Sequence, residues 1–285
     1  IKPVQVLKGN FWQSSRSPVR NAMVVIQFTI AIALSIVAIS AFRQLKFMQD
    51  YDTGFNKDEV VVAQVSWVRR NYVVTLMDEL RTMPGVNDVT GALRRLGDPV
   101  DINDVIFRNE NQQSFRMPAT TMWVDYNYIP FYGIKLLAGR NISPAYGSDA
   151  RGNSYLINET MANKLVEFTD DPKAELNTLI GKEFRFNFQD SLGTIVGIVR
   201  DFNFNSLHHK VEPLCISYQH DYYFRELSIR LERQHLAQTL PLIEAKWKEL
   251  LPNQEMEYRF LDEQMEQLYK TDKQVGKIMT VLTIL

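Results

Sequence analysis

One stretch limits what this chain can become more than any other: from Ala22 to Phe42 it reads AMVVIQFTIAIALSIVAISAF, with no charged side chain. As a helix rising about 1.5 Å per residue, such a run reaches roughly 30 Å, the thickness of a bilayer's hydrocarbon core. The apolar part of a cleaved secretory signal is shorter, about 7 to 15 residues. Residues 21–43 are therefore expected to form a transmembrane helix. Its polar members are Gln27, Thr29, Ser35 and Ser40. Small and polar side chains inside a span favour packing against other helices, so Gln27 and Ser35 are the expected helix-packing positions.

The flanks orient the span. Lys2, Lys8, Arg16 and Arg20 precede it with no acid among them, whereas acids enter from Asp50 onward. Cation-rich flanks stay in the cytoplasm. Residues 1–20 are then cytoplasmic, either a linker or a short amphipathic segment that lays Val4, Val6, Leu7, Phe11 and Trp12 into the headgroup region. The chain from about Lys46 to Lys273 faces outward. The whole sequence of 285 residues is 45% hydrophobic with a net charge of -1, enough apolar material for one large core or two small ones. That balance argues against a nucleic-acid partner, which needs a basic face to displace counterions from phosphate. Cys215 is the only cysteine, so the core rather than an internal disulfide holds the fold. The chain starts at Ile1 and closes on the apolar run IMTVLTIL, and is expected to be a piece of a longer polypeptide.

The outward part reads as mixed α and β. DEVVVAQVSW is rich in β-branched residues, NYVVTLMDELRTMPG places Val74, Leu76, Met77 and Leu80 on one helical face before the Pro84-Gly85 stop, and VNDVTGAL returns as a strand. Near the end, ELSIRLE, HLAQTLPLIEAKWKELL and EMEYRFL repeat the strand, helix, strand order, with Pro241 expected to kink or delay that helix. Two such units make a split β-α-β sandwich over residues 44–114 and 206–262. Between them, residues 115–205 form an insertion with strands TTMWVD, KEFRFNF and GTIVGIVRDF and a helix at NETMANKLVEF, where Asn158 is placed to cap the first turn. Residues 263–285 turn from polar to apolar, so a stalk helix is expected to run into the next span. On it Met265, Leu268 and Tyr269 recur at three- and four-residue spacing as a packing face for mechanical coupling, with Glu263, Glu266 and Lys270 toward water.

The phrases QFTIAIAL, DTGFNKDEVV, FYGIKLLAGRNIS, YLINETMAN, LIGKEF, TIVGIVRDFNFNSLHH and FLDEQMEQLYKTDKQVGKI follow one another along nearly the whole chain. As a set they resemble the MacB/FtsX-type ABC transporter permeases. The resemblance implies a membrane-anchored α+β protein: a transmembrane helix followed by a two-part extracytoplasmic domain, with a split β-α-β (porter-like) part and an inserted mixed α/β part. It implies location in the bacterial inner membrane with the large domain in the periplasm, and coupling of ATP hydrolysis to motion of that domain. The work done is export or extraction of a substrate, or activation of an envelope partner. The expected partners are cytoplasmic ABC ATPase subunits, a second permease half or copy, membrane lipid and a periplasmic partner. ATP belongs to the partner subunit, and no cofactor is expected here. The opening IKPVQVLKG before a span resembles the junction between halves of the two-repeat permeases.

No G-x-x-x-x-G-K-[ST] loop, G-x-S-x-G elbow or H-E-x-x-H helix occurs, so neither ATP hydrolysis nor catalysis is assigned. His208 and His209 are adjacent and point to different faces, which makes no chelate. Asp170 and Asp171, followed by Pro172, read as a solvated turn, Arg94 and Arg95 as a loop facing water. Tyr126, Tyr128, Phe131 and Tyr132 read as packed core, and Tyr222, Tyr223 and Phe224 as a contact patch. The competing class is a ligand-sensing domain of a two-span signalling receptor, which would continue past Leu285 into a cytoplasmic signalling module.

Overall fold

The uncharged run lies within a single helix, α1 (Pro18–Asp50), whose Pro18–Gln44 portion is long and apolar enough to cross a membrane. Val25, Ile26, Phe28, Ile32 and Ile36 are all exposed along it. A helix apolar on every side needs an apolar surrounding, lipid or neighbouring helices. Thr29 and Ser35 turn their hydroxyls back onto the carbonyls of Val25 and Ala31, each at 2.8 Å. The computed structural model describes residues 18–65, 70–98, 101–205, 210–218 and 224–268. The expected amphipathic segment before residue 18, His208, His209, Tyr222, Tyr223 and Tyr269 lie outside the described residues, as does the side chain of Leu268.

A separate unit spans Asp52–Leu268. It begins with β1 (Val60–Gln64), α2 (Arg70–Arg81), β2 (Val86–Ala92), β3 (Asp101–Arg108) and β4 (Ser114–Trp123). Next come α3 (Tyr128–Phe131), β5 (Leu136–Gly139), α4 (Gly147–Ala150), β6 (Ser154–Asn158) and α5 (Glu159–Val166). It closes with β7 (Glu183–Phe186), β8 (Gly193–Val199), β9 (Leu214–Ser217), β10 (Glu226–Leu231), α6 (Leu236–Leu250), β11 (Glu257–Phe260) and α7 (Leu261–Leu268).

The first and last of these build a four-stranded antiparallel sheet in the order β11-β1-β10-β2. This is the split β-α-β arrangement twice over, and its two crossover helices, α2 and α6, pack against each other. Val73, Leu76, Met77 and Leu80 are the buried face of α2, spaced i, i+3, i+4, i+7. Val73 takes the place expected for Val74, which is only half-buried. Ile243 and Trp247 are the buried residues of the same kind on α6, which continues through Pro241 and is preceded by a 3₁₀ turn at Arg233–His235.

The second sheet has seven strands in the order β5-β8-β6-β9-β4-β3-β7, and β7 pairs again with β8, so the sheet curls back on itself. Its strands run from Asp101 to Ser217, wider than the insertion expected over 115–205. β3 pairs antiparallel with β4 and β7, and β9 pairs parallel with β4. Hydrogen-bonded partners far apart in sequence, rather than local composition, set those limits. Its own core gathers Phe107, Tyr155, Phe184, Phe186, Cys215 and, from α5, Met161 and Leu165.

The chain enters the unit along a strap pinned both to segments near this second sheet and to Arg230 of β10 in the first, whose guanidinium donates to the Asp58 carbonyl at 2.7 Å and the Asn56 carbonyl at 3.3 Å. Thr53 accepts from the Asn203 N–H at 2.8 Å, Asn56 N–H donates to the Tyr132 carbonyl at 2.7 Å, and the Phe55 ring stands edge-on to Tyr132 and Phe202. Gly54, at φ +81°, brings the backbone so close to Phe202 that a Cβ would lie 3.0 Å from that side chain. The chain leaves on α7, against β1 and β11 of the first sheet.

Candidate functional site

The residues of the phrases that carry the family resemblance are brought into a frame rather than a pocket. Gly139 (φ +73°) and Gly197 let β5 and β8 close up; a Cβ on Gly197 would sit 2.3 Å from the Arg140 carbonyl. Arg140 then grips buried Asp149 through both Nη atoms, at 2.6 and 3.0 Å. Burial alone would raise the pKa of Asp149, but the guanidinium, the hydroxyls of Ser154 and Ser148 and the Ser143 N–H outweigh it and hold the carboxyl below its usual value. Asn158, fully buried, caps α5 by accepting from Met161 N–H at 2.9 Å, accepts from Leu214 N–H at 2.9 Å and donates to the Glu212 carbonyl at 3.0 Å. Asp201 adds to the same helix start through Thr160 N–H (3.0 Å) and hydroxyl (2.6 Å). Lys182 pairs with Glu110. No cluster of metal-ligating side chains exists among the described residues.

The chemistry that remains lies on one face of the four-stranded sheet. The register Val62↔Ser228 and Gln64↔Glu226, with Ser228↔Thr90 and Glu226↔Ala92, sets these residues on one side. Leu227 and Ile229 point to the other, apolar side, because strand neighbours alternate. The polar side is covered: Tyr128 of α3 and Tyr132 just after it, Leu261 and Gln264 of α7 and Arg94, Arg95 and Leu96 after β2 line, with Val62, Ala92, Glu226 and Ser228, a space too narrow for a water molecule.

Several polar groups here are satisfied. Tyr132 donates its hydroxyl to Ser228 Oγ at 2.7 Å, and Gln264 Nε2 donates to the Leu96 carbonyl at 3.1 Å. Others are not. Glu226 Oε1, Gln264 Oε1, the Tyr128 hydroxyl and Thr90 Oγ1 are buried without a hydrogen-bond partner, an arrangement that costs about 1 to 3 kcal/mol per group when it persists. Glu226 is only 4% exposed. Arg95 Nε stands 3.4 Å from Glu226 Oε2, but its N–H is directed to Asp98 at 3.1 Å. Burial therefore dominates, and with the Arg95 charge opposing it and Asp98 adding to it, the Glu226 carboxyl is pushed up to about 9. Burial likewise raises both tyrosines, with the Glu226 charge nearby acting in the same direction.

Of the residues expected from sequence to carry coupling, Met265 is 4% exposed and belongs to the main core together with Leu261 at 1%. Gln27 lies exposed on α1 and Ser35 is half-buried there. Tyr128, Phe131 and Tyr132 do pack together as core, while half-buried Tyr126 stacks on Tyr218 at the edge of that core. Glu226 and Gln264 were not legible as site residues. The alternation Glu226, Ser228, Arg230 reads as the watered side of a strand, and only the folding of α3 and α7 over it changes its meaning.

Comparison with curated proteins finds no match. The chain is similar in structure to the periplasmic region of MacB from Actinobacillus actinomycetemcomitans, at 12% identity and a TM-score of 0.52 over 78% of this chain and 98% of that one. It is similar also to the extracellular domain of the noncanonic ABC-type transporter YknZ from Gram-positive bacteria (10% identity, TM-score 0.46, 70% and 98% covered). A domain of a permease protein from Porphyromonas gingivalis gives 17% identity and a TM-score of 0.44, with 73% and 91% covered. The model of the MacB-like periplasmic core domain matches residues 22–227, most of the chain. The chain belongs to that family, the MacB/FtsX type of ABC transporter permease.

Proposed function

We propose that this chain is the part of an ABC transporter permease that turns ATP hydrolysis by a separate cytoplasmic ATPase into motion of its large domain. In this reading α1 is anchored in the bacterial inner membrane, Asp52–Leu268 lies in the periplasm, and a second permease half or copy completes the membrane unit. Export or extraction of a substrate, or activation of a periplasmic partner, is the work done.

The observation that carries the reading is the seating of α7. A passive tether would leave a domain as an exposed linker, whereas Leu261, Gln264 and Met265 are built into the core and Gln264 is hydrogen-bonded to the Leu96 carbonyl at 3.1 Å. A displacement of α7 along its axis has to move the sheet it is packed on. A flexible Gly-Ser segment inserted after Thr271 transmits little directed motion. In the assembled transporter the insertion should leave ATPase activity and complex formation intact while abolishing transport or partner activation. Full transport by the insertion variant would end this reading.

A further inference from the structure

The buried polar layer beneath α7 contains a mismatch that one proton resolves. Glu226 Oε1 and Gln264 Oε1 are both buried, both line the same water-free space and both lack a partner. An ionised carboxylate and an amide oxygen are acceptors only, so neither can satisfy the other. Protonation turns the carboxyl into a donor. The same step removes a charge from a place where the nearest guanidinium, Arg95, spends its N–H on Asp98.

We propose that Glu226 is a proton-operated latch for α7: with the proton bound, the carboxyl joins the layer between α3 and α7 and the exit helix stays seated; with the proton lost to solvent, the layer opens and α7 is released. The chemistry is a simple acid dissociation, carboxylic acid to carboxylate plus a proton to water. The groups that bear on it are Arg94, Arg95 and Asp98 from the segment after β2, Tyr128 from α3 and Tyr132 at its end, and Gln264, uncharged, from α7. The two tyrosines keep their protons throughout the working range, and Arg94 is held charged chiefly by its hydrogen bond to Asp101. Glu226 is thus the group in this layer whose charge changes between about pH 6 and 10. Release follows from cost: an ionised Glu226, buried and with its one guanidinium neighbour shared with Asp98, is driven to water, and of the two helices that cover it α7 is held by fewer buried side chains, Leu261, Gln264 and Met265 against Tyr128, Ile129, Phe131 and Tyr132 of α3 and its end. The latch stands independently of what drives the domain.

The test uses the full chain in lipid nanodiscs. A nitroxide on Glu263→Cys, exposed on α7, reports seating; one on Tyr72→Cys, exposed on α2, is the control. As pH rises from 6 to 10 the α7 label should pass from restricted to mobile while the α2 label and the circular dichroism of the domain stay unchanged. In Glu226→Gln, which carries donors and no charge at every pH, the α7 label should stay restricted. Infrared difference spectra should show a protonated carboxyl at pH 6 in the wild type that is missing in Glu226→Gln, which identifies the group even if the variant folds poorly. An α7 label that does not respond to pH, an identical response in Glu226→Gln, or simultaneous loosening of both labels would each overturn the latch.

Discussion

Asn158 carries three hydrogen bonds on one buried side chain and joins α5, β6 and the approach to β9. Asn158→Ala removes a helix cap and leaves buried donors and an acceptor unpaired, so it should cost about 2 to 3 kcal/mol, read as a lowered urea midpoint. Two buried carboxyls give the domain opposite responses to pH. The depressed Asp149 contributes stability that is present above its unfolded value and lost as pH falls through its folded one, in the acid range below about 4. Glu226 has the reverse sign. With its folded value raised to about 9, its contribution is full below the unfolded value near 4.5 and declines as pH rises toward 9. Denaturation midpoints should therefore fall between pH 5 and pH 8 in the wild type, by at most about 1.4 kcal/mol per pH unit. Glu226→Gln should flatten that slope, and an unchanged slope would assign the effect to some other group.

Elements differ in how far they announce themselves. α5 is legible because a capping Asn, an acid in the first turn and apolar spacing agree, and the two β-α-β units are legible because period two and period 3.6 alternate cleanly along the chain. β3 is not, since Asp101, Asn103 and Asp104 give it the composition of a loop; its pairing with β4 and β7 makes it a strand. The partners of β9 are likewise set by residues far away in sequence, which no local pattern contains. The polar layer escaped for the same reason at smaller scale, because whether Glu226 meets water depends on a helix more than thirty residues later. α7 itself is short, and its hold on the unit comes from few side chains. Leu261→Ala and Met265→Ala should each cost about 2 to 4 kcal/mol. Substitution of exposed Asp262 should stay within about 0.5 kcal/mol. Thermal melts of the three variants separate a seated helix from a loose one.

For the molecule as a whole, orientation is the first thing to establish. Asn187 lies exposed beyond β7, while Cys215 is fully buried with its thiol pKa raised by burial, so an introduced thiol reports on a silent background. In cells whose outer membrane is opened and inner membrane intact, Asn187→Cys should react with an impermeant maleimide. Reaction only after the inner membrane is breached would place the domain in the cytoplasm.

The entry strap joins what the two sheets hold apart. It is pinned at Phe202 and Asn203, beyond β8 of the seven-stranded sheet, and by the Arg230 guanidinium on β10 of the four-stranded sheet, which donates to the carbonyls of Asn56 and Asp58, before the chain runs on into β1. The exit helix instead packs on β1 and β11. A force applied at the strap would thus be divided between two plates, whereas one applied at α7 would enter through a single plate, so the two ends of the unit are unequal in grip.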